Sequence, residues 1–288
     1  MTSTFDLDPR YIAARRILLD ALVALEDHRD AVILVGAQAV YLRTQLTEVT
    51  ESIAPFTTDG DLALDPTALL AVPELELAMD GAGFHLFQNP GGGIEPGIWV
   101  ADVIIDGEPV EVPVDLIVPE AASDGEGRRG ARLGPHGNRA ARKAVGLEAA
   151  LVDNAPEVIA ALDPADDRSV VVKVAGVAAL LVAKSHKIHD RVASGRVDRL
   201  SDKDASDVYR IMQTSRFEDV ATTMRMLSEN ELCGPVTRQA LLYMGDLFGR
   251  PAGEGVAMAQ RALQGAIDPA TVEVVSTTYT RQLLDGIS

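Results

Sequence analysis

The sequence has little of what a disulfide framework, a multi-cysteine metal site or a general nucleic-acid coat would need. Cys233 is its one cysteine, which excludes an internal disulfide and suits a reducing compartment. Basic residues are also few, since 26 Lys and Arg stand against 43 Asp and Glu and give a net charge of −17. A protein this acidic does not coat polyanions, so any contact with nucleic acid is expected to be local.

Long hydrophobic runs are absent as well. The most apolar stretch, residues 170–182, is interrupted by Lys173 and is shorter than the ~20 residues needed to span a bilayer. The N-terminus lacks the basic and apolar segments of a signal peptide. We therefore expect a cytoplasmic protein without membrane contact. Its 288 residues allow a buried core in one large domain or two small ones.

Hydrophobic periodicity in the first part of the chain predicts alternating helices and strands. Residues 9 to about 28 are predicted to form an amphipathic helix, and the β-branched run 31–35 ends abruptly at Gly36, before helix-compatible residues. Asp65 and Pro66 give an N-cap and proline signal that predicts a helix to about residue 81. The Gly- and Pro-containing residues 89–97 are expected to form a loop.

Further along, the sequence predicts one hairpin and then a series of helices. Asp106 and Gly107 lie between two apolar runs and are typical of a tight hairpin turn. From residue 174 onward the pattern is helical, with predicted helices over 174–191 and 203–214 and more up to residue 284. We therefore expect an α/β domain over residues 1–170 and a helical domain over residues 171–288.

Three aspartates of the α/β part are candidate metal ligands. Asp59 and Asp61 are two residues apart, so on a strand their side chains project from the same face. Asp115 stands in an otherwise apolar strand, where an unpaired carboxylate would be costly. Carboxylates converging from adjacent strands suit Mg²⁺ and two-metal phosphoryl transfer. The alternative is that Asp59 and Asp61 cap a turn and Asp115 pairs with an arginine.

The order of these features is more specific than any one of them. Gly36 lies where a strand turns into a helix, and the N–H groups at a helix N-terminus attract phosphate oxygens. The Asp59 and Asp61 pair follows on the next strand, and Asp115 on a later one. This ordered set resembles the nucleotidyltransferase superfamily with the polymerase-β-type palm.

The region after these motifs narrows the resemblance to one family. Residues 180–188, which contain Lys184, and residues 203–208, which begin Lys203-Asp204 and contain Asp207, are similar to the downstream motifs of AbiEii/MenT-like nucleotidyltransferase toxins. The resemblance covers roughly residues 30–212. It implies an α+β fold in which a palm with a mixed β-sheet is followed by a C-terminal helical domain that completes the active site.

The resemblance also implies a chemistry and its participants. It implies a Mg²⁺-dependent enzyme that transfers a nucleotide from a nucleoside triphosphate to an RNA acceptor such as tRNA, and that a cognate antitoxin holds in check. Asp59 and Asp61 would be metal ligands, Asp115 a ligand or base, and Lys184 and Asp207 further catalytic residues. The nucleotide would be bound by Gly36, Ala37, Lys184 and Lys187.

A dense basic cluster offers a place for a polyanionic acceptor. It contains Arg128, Arg129 and Arg132 in a glycine-rich setting and continues to Arg139, Arg142 and Lys143. The first three arginines are our predicted acceptor-binding residues. The same arginines could instead pair with the acidic surface of the protein. Likewise, Lys184, Lys187 and Arg191 share one helix face, which in isolation is often a solvated stripe.

The sequence is also compatible with two other functions. The acidic net charge favours a nucleotidyltransferase that modifies a small molecule or a protein rather than RNA. Ala37, which offers no hydroxyl to a phosphate, favours a palm that binds nucleotide without catalysis.

Overall fold

The computed structural model describes residues 7–44, 56–123, 129–195 and 202–287, and it divides the chain into two compact units. The first comprises residues 1–38, 54–144 and 155–174, and the second residues 39–53, 145–154 and 175–288. The first unit contains a mixed open sheet and the second is helical. The α+β class expected from the sequence is therefore confirmed.

The first unit is built on one sheet with the strand order β3-β4-β5-β2-β1-β8-β7, and a short strand, β6, pairs with β5. Helix α1 (Pro9–Ala24) packs against this sheet and contributes Leu18 and Leu19 to its core. Trp99, also fully buried, donates its indole N–H to the carbonyl of Ala140 at 2.9 Å. The strands are β1 (Val32–Val35), β2 (Gly60–Leu64), β3 (His85–Gln88), β4 (Ile94–Ile105), β5 (Glu108–Pro119), β6 (Arg142–Ala144), β7 (Asn154–Ala160) and β8 (Ser169–Ala175).

The pairing of the central strands decides which side chains become neighbours. Strand β2 runs antiparallel to β1 and parallel to β5. Asp106 and Gly107 close the β4–β5 hairpin with φ angles of 52° and 85°, so the predicted hairpin is confirmed. Both residues of this tight turn need a positive φ, which Asp and Gly tolerate better than most residues.

Two segments differ from the expectation. Residues 66–74 are not helical, and α3 covers only Leu75–Gly81. Pro73 has no N–H and disfavours helical φ and ψ at the residue before it, so the helix begins after it, and Asp65 instead accepts from the N–H of Thr67 in a local turn. Residues 89–97 are not all loop, because Asn89 closes a tight turn and β4 begins at Ile94.

The second unit is formed by helices, and the two that were predicted over 174–191 and 203–214 are observed over Val177–Ser194 and Lys203–Thr214. Phe248 fills its core, and a Cβ on Gly255 would lie 2.6 Å from the Phe248 ring. In the described part of the chain, every helix is too short or too polar to cross a membrane. The helices after α1 (Pro9–Ala24), α2 (Gly36–Arg43) and α3 are α4 (Val177–Ser194), α5 (Lys203–Thr214), α6 (Phe217–Glu229), α7 (Gly234–Phe248), α8 (Glu254–Ala262) and α9 (Pro269–Ile287).

Two buried histidines hold the segment that precedes α3. His136 Nδ1 accepts from the N–H of Leu75 at 3.2 Å, and its Nε2 lies 2.9 Å from the carbonyl of Leu70. His28 Nε2 lies 2.8 Å from the carbonyl of Pro73, and the two imidazoles meet edge to face. Burial lowers the pKa of His136, and the neighbouring His28 lowers it further. The His136 ring is therefore held in its neutral form, which accepts at Nδ1.

We expect the free energy of unfolding to fall as the pH drops below about 6.5, the ordinary pKa of histidine. Because the folded pKa of His136 is lowered, the unfolded chain takes up a proton first, and stability is fully present only above this range. Urea unfolding of the wild type and of His136→Asn between pH 5 and 8 would measure the effect. The variant should be less stable at pH 8 and less dependent on pH, and identical pH dependence would contradict the prediction.

Candidate active site

The turn between β1 and α2 touches the second aspartate of the predicted motif. Gly36 has a φ of +70°, a conformation that L side chains rarely adopt. A Cβ at Gly36 would lie 2.9 Å from Asp61 Cβ and closer still to the Asp61 carboxylate. The turn therefore requires glycine for two reasons. The side chain of Asp61, on the neighbouring strand β2, lies against the first residue of helix α2.

The third aspartate lies beside Asp61 on the neighbouring strand. Asp61 and Asp115 are register partners in the parallel strands β2 and β5, so their side chains emerge on the same face of the sheet. Neighbouring strands are about 4.8 Å apart, which brings two negative charges close together. Arg142 donates to Asp115 Oδ2, and the Asp115 side chain is only 16% exposed. The pairing of Asp115 with an arginine, one of our two alternatives, is thus the arrangement in the structure.

Asp59 is held by two hydrogen bonds just before β2 begins. The hydroxyl of Thr57 donates to Asp59 Oδ1, and the side-chain amide of Gln38 donates to the Asp59 carbonyl at 2.9 Å. Thr57 and Gln38 are both buried, whereas Asp59 is half-buried. The backbone and the carboxylate of Asp59 are therefore both fixed in place.

The acidic residues on and beside the central strands β2 and β5 fit one mode of Mg²⁺ binding better than another. Among residues 7–44, 56–123, 129–195 and 202–287, no three His, Cys, Asp or Glu side chains are gathered closely enough to form a metal cage. Mg²⁺ at nucleotide sites, however, uses one or two carboxylates together with waters and substrate phosphates. Asp61, Asp115 and the adjacent Asp59 supply oxygen ligands of this kind, so the residues present fit the second mode.

One polar side chain beside the predicted nucleotide-binding turn, that of Gln38, was not predicted from the sequence as a site residue. Ala37 is buried, and as an alanine it offers no hydroxyl to a phosphate. The next residue, Gln38, points its amide toward Asp59 and Arg15. Arg15 lies on the same face of α1 as Tyr11 and Leu18, and a lone arginine among the apolar positions of a helix was the available sequence signal.

The predicted lysine and aspartate of the helical part lie in the second unit and bond to each other. Lys184 Nζ donates to Asp204 Oδ1 and to Asp207 Oδ2, both at 2.6 Å, and all three side chains are buried. Burial by itself would lower the pKa of Lys184, but the two carboxylates raise it above its usual value. The same attraction, with Lys187 and Arg191 adding to it, lowers the pKa of Asp204 against the effect of burial.

The other positive groups on this helix face are more open to solvent. Lys187 Nζ lies 3.4 Å from Asp204 Oδ1 and its side chain is 49% exposed, whereas Arg191 donates to Asp204 Oδ2. The stripe of Lys184, Lys187 and Arg191 is therefore organised around one buried carboxylate. The assignment of Lys184 and Lys187 to nucleotide binding, and of Lys184 and Asp207 to catalysis, stays a prediction.

The basic cluster is partly engaged with acidic residues of its own unit. Arg129 pairs with Glu95 at 3.0 Å, and Arg139 pairs with Glu76 at 2.6 Å. Arg132 is exposed and pairs with none of the described residues. Arg128 lies outside the described residues. Acceptor binding by these arginines stays a prediction.

Comparison with known proteins does not assign the chain to a family. No protein-family model matches the chain, and no curated protein is significantly similar to it. The arrangement of Gly36, Asp59, Asp61 and Asp115 is therefore what bears on function.

We expect Gly36→Ala to destabilise the protein more than Gly83→Ala, which serves as its control. Both positions have positive φ angles, so each alanine carries about 1–2 kcal/mol of backbone strain. A Cβ at Gly83 meets nothing within 4 Å, whereas one at Gly36 collides with Asp61. Urea unfolding at neutral pH would measure the difference, and equal losses in the two variants would contradict the contact described above.

Lys184→Met is expected to cost about 3–5 kcal/mol of unfolding free energy, because it leaves two buried carboxylates without their shared cation. Lys187→Met is the matched control, since Lys187 is half exposed and such pairs contribute about 0–1 kcal/mol. Urea unfolding of both variants at one pH would make the comparison. A Lys184→Met protein as stable as the control would show that the ion pair does not stabilise the fold.

Proposed function

We propose that the protein is a Mg²⁺-dependent nucleotidyltransferase with a polymerase-β-type palm, and that it transfers a nucleotide from a nucleoside triphosphate to an RNA acceptor such as tRNA. One observation carries the proposal: Asp61 lies between the Gly36 turn at the start of α2 and its register partner Asp115. A phosphate-binding turn and paired carboxylates on adjacent strands are together what phosphoryl transfer with a metal requires.

The residues of the first unit have distinct roles in this reaction. The N–H groups at the start of α2 would donate to phosphate oxygens. Asp59, Asp61 and Asp115 are the candidate ligands, of which one or two would hold Mg²⁺ together with phosphate oxygens. When bound, the ion would neutralise charge on the triphosphate. Asp115 alternatively takes the proton of the acceptor hydroxyl. The hydroxyl oxygen forms a bond to the α-phosphorus, and the bond to pyrophosphate breaks.

The remaining participants are proposed on the resemblance alone. Lys184, Lys187 and Asp207 are assigned to the nucleotide and to catalysis, Arg128, Arg129 and Arg132 to the acceptor, and a cognate antitoxin to inhibition. Lys187, Arg129 and Arg132 are exposed and carry charges suited to phosphate groups, although Arg129 is also paired with Glu95. Lys184 is already bonded to two carboxylates, which favours a positioning role for it.

A second candidate is a nucleotidyltransferase acting on a small molecule or a protein. It is favoured by the net charge of −17 and by the ion pairs that engage Arg129 and Arg139. A third, a palm that binds nucleotide without catalysis, is favoured by Arg142, which occupies one oxygen of Asp115.

The function is tested by incubating the protein with Mg²⁺, total tRNA and each labelled nucleoside triphosphate in turn. We expect transfer of label to RNA from at least one triphosphate, and a loss of 100-fold or more in Asp61→Asn. This variant keeps the shape of the side chain but removes a charge that binds Mg²⁺. Asp102→Asn, which changes an exposed aspartate on β4, is the control and should leave transfer unchanged.

The outcomes separate the three candidates. Label on RNA that depends on Asp61 supports the first. Pyrophosphate release with no label on RNA, when a cell extract stripped of nucleic acid is supplied as the acceptor source, points to a small molecule or a protein. Binding of a triphosphate without pyrophosphate release leaves only the non-catalytic palm, and no binding at all contradicts the proposal.

A further inference from the structure

The first unit contains a buried arginine whose charge no described carboxylate balances. Arg15 on α1 is 3% exposed. Its guanidinium donates to Gln38 Oε1 at 2.7 Å, to the carbonyl of Ala160 at 3.0 Å and to the hydroxyl of Tyr11 at 3.4 Å. All three acceptors are neutral. Burying a charge on neutral partners is costly, so such a residue calls for an explanation beyond packing.

The arginine determines which way the side-chain amide of Gln38 faces. A guanidinium can only donate, so the amide oxygen of Gln38 must face Arg15. The NH₂ group of the same amide is thereby directed to the opposite side. There it donates to the carbonyl of Asp59 at 2.9 Å. With Arg15 in place, the amide has one satisfied orientation rather than two.

The hydrogen bonds from Arg15 to Gln38 and from Gln38 to Asp59 form a relay. This relay connects parts of the candidate site that lie far apart in the sequence. Gln38 is two residues beyond Gly36 on α2, and Asp59 is 21 residues further along. The relay fixes the Asp59 backbone, while the Thr57 hydroxyl fixes its carboxylate. Asp59 is thus constrained from two sides next to the turn that contacts Asp61.

We propose that Arg15 and Gln38 are positioning residues that orient Asp59 for binding a divalent cation. The inference rests on the proposed function, because Asp59 needs an exact orientation only if its oxygens act as ligands. Residues that orient metal ligands commonly change metal affinity by about 10–100-fold when they are replaced. Arg15 and Gln38 would act through Asp59 and not as ligands themselves.

Gln38→Glu tests the relay because it keeps the bond to Arg15 and removes the donor to Asp59. The new carboxylate accepts from Arg15 and adds a negative charge near the site, which by electrostatics alone would strengthen cation binding. We expect the opposite, an approximately tenfold weaker affinity for Mn²⁺, measured by the electron paramagnetic resonance signal of the free ion. The unfolding temperature should not fall, since Arg15 gains a charged partner.

Amide hydrogen exchange of the peptide covering residues 56–64 gives a second readout that does not involve metal. Loss of the bond to Asp59 should raise its exchange rate in Gln38→Glu relative to the wild type. Gln260→Glu is the matched control, because the Gln260 amide also donates to a backbone carbonyl, that of Pro269, at 2.9 Å in the second unit. It should leave Mn²⁺ affinity and this exchange rate unchanged.

The results separate the inference from the proposed function. Unchanged or tighter Mn²⁺ binding in Gln38→Glu, with binding lost in Asp59→Asn, overturns the positioning role alone. If the wild type binds no Mn²⁺ without nucleotide, the exchange rates decide on the positioning role, which unchanged rates overturn, and the transfer assay with a nucleoside triphosphate decides on the proposed function. Should Gln38→Glu not fold, Gln38→Met, which removes the same donor at similar volume, is measured in its place.

Discussion

The close approach of Gly36 to Asp61 is the constraint on which the candidate site depends. Because the Asp61 side chain occupies the space where a Cβ of residue 36 would lie, strand β1 can turn into α2 only at a glycine. The same contact fixes the start of α2 against β2, and the parallel pairing with β5 then places Asp115 beside Asp61. One steric requirement and one strand pairing thus bring together a helix N-terminus and two carboxylates from strands far apart in sequence.

Each unit buries positive charge, but in a different way. The charge of Lys184 is balanced by the carboxylates of Asp204 and Asp207, and the three buried groups attract one another strongly. Arg15 is surrounded by neutral acceptors, and its hydrogen bond to Gln38 fixes the orientation of that side-chain amide. The first arrangement is suited to holding α4 and α5 together, and the second to orienting an amide.

The sequence predicts local structure well where the signal is local. The Asp106-Gly107 turn and helix α5 follow from neighbouring residues, and the structure has both. The helix expected from residue 65 was wrong in its first part, because Pro73 prevents it and tertiary bonds from His28 and His136 hold an irregular segment there. Periodicity carries no information on such distant partners.

The same limit applies to the site. The aspartates and Gly36 were visible as an ordered set, but the bond from Arg142 to Asp115 depends on the pairing of β5 with β6. Because of that bond, Arg142 supplies a positive charge that balances the negative charge of Asp115. Folding of this part of the sheet therefore does not require a cation, and a divalent ion bound there would have to compete with a tethered guanidinium for Asp115 rather than fill an empty cage.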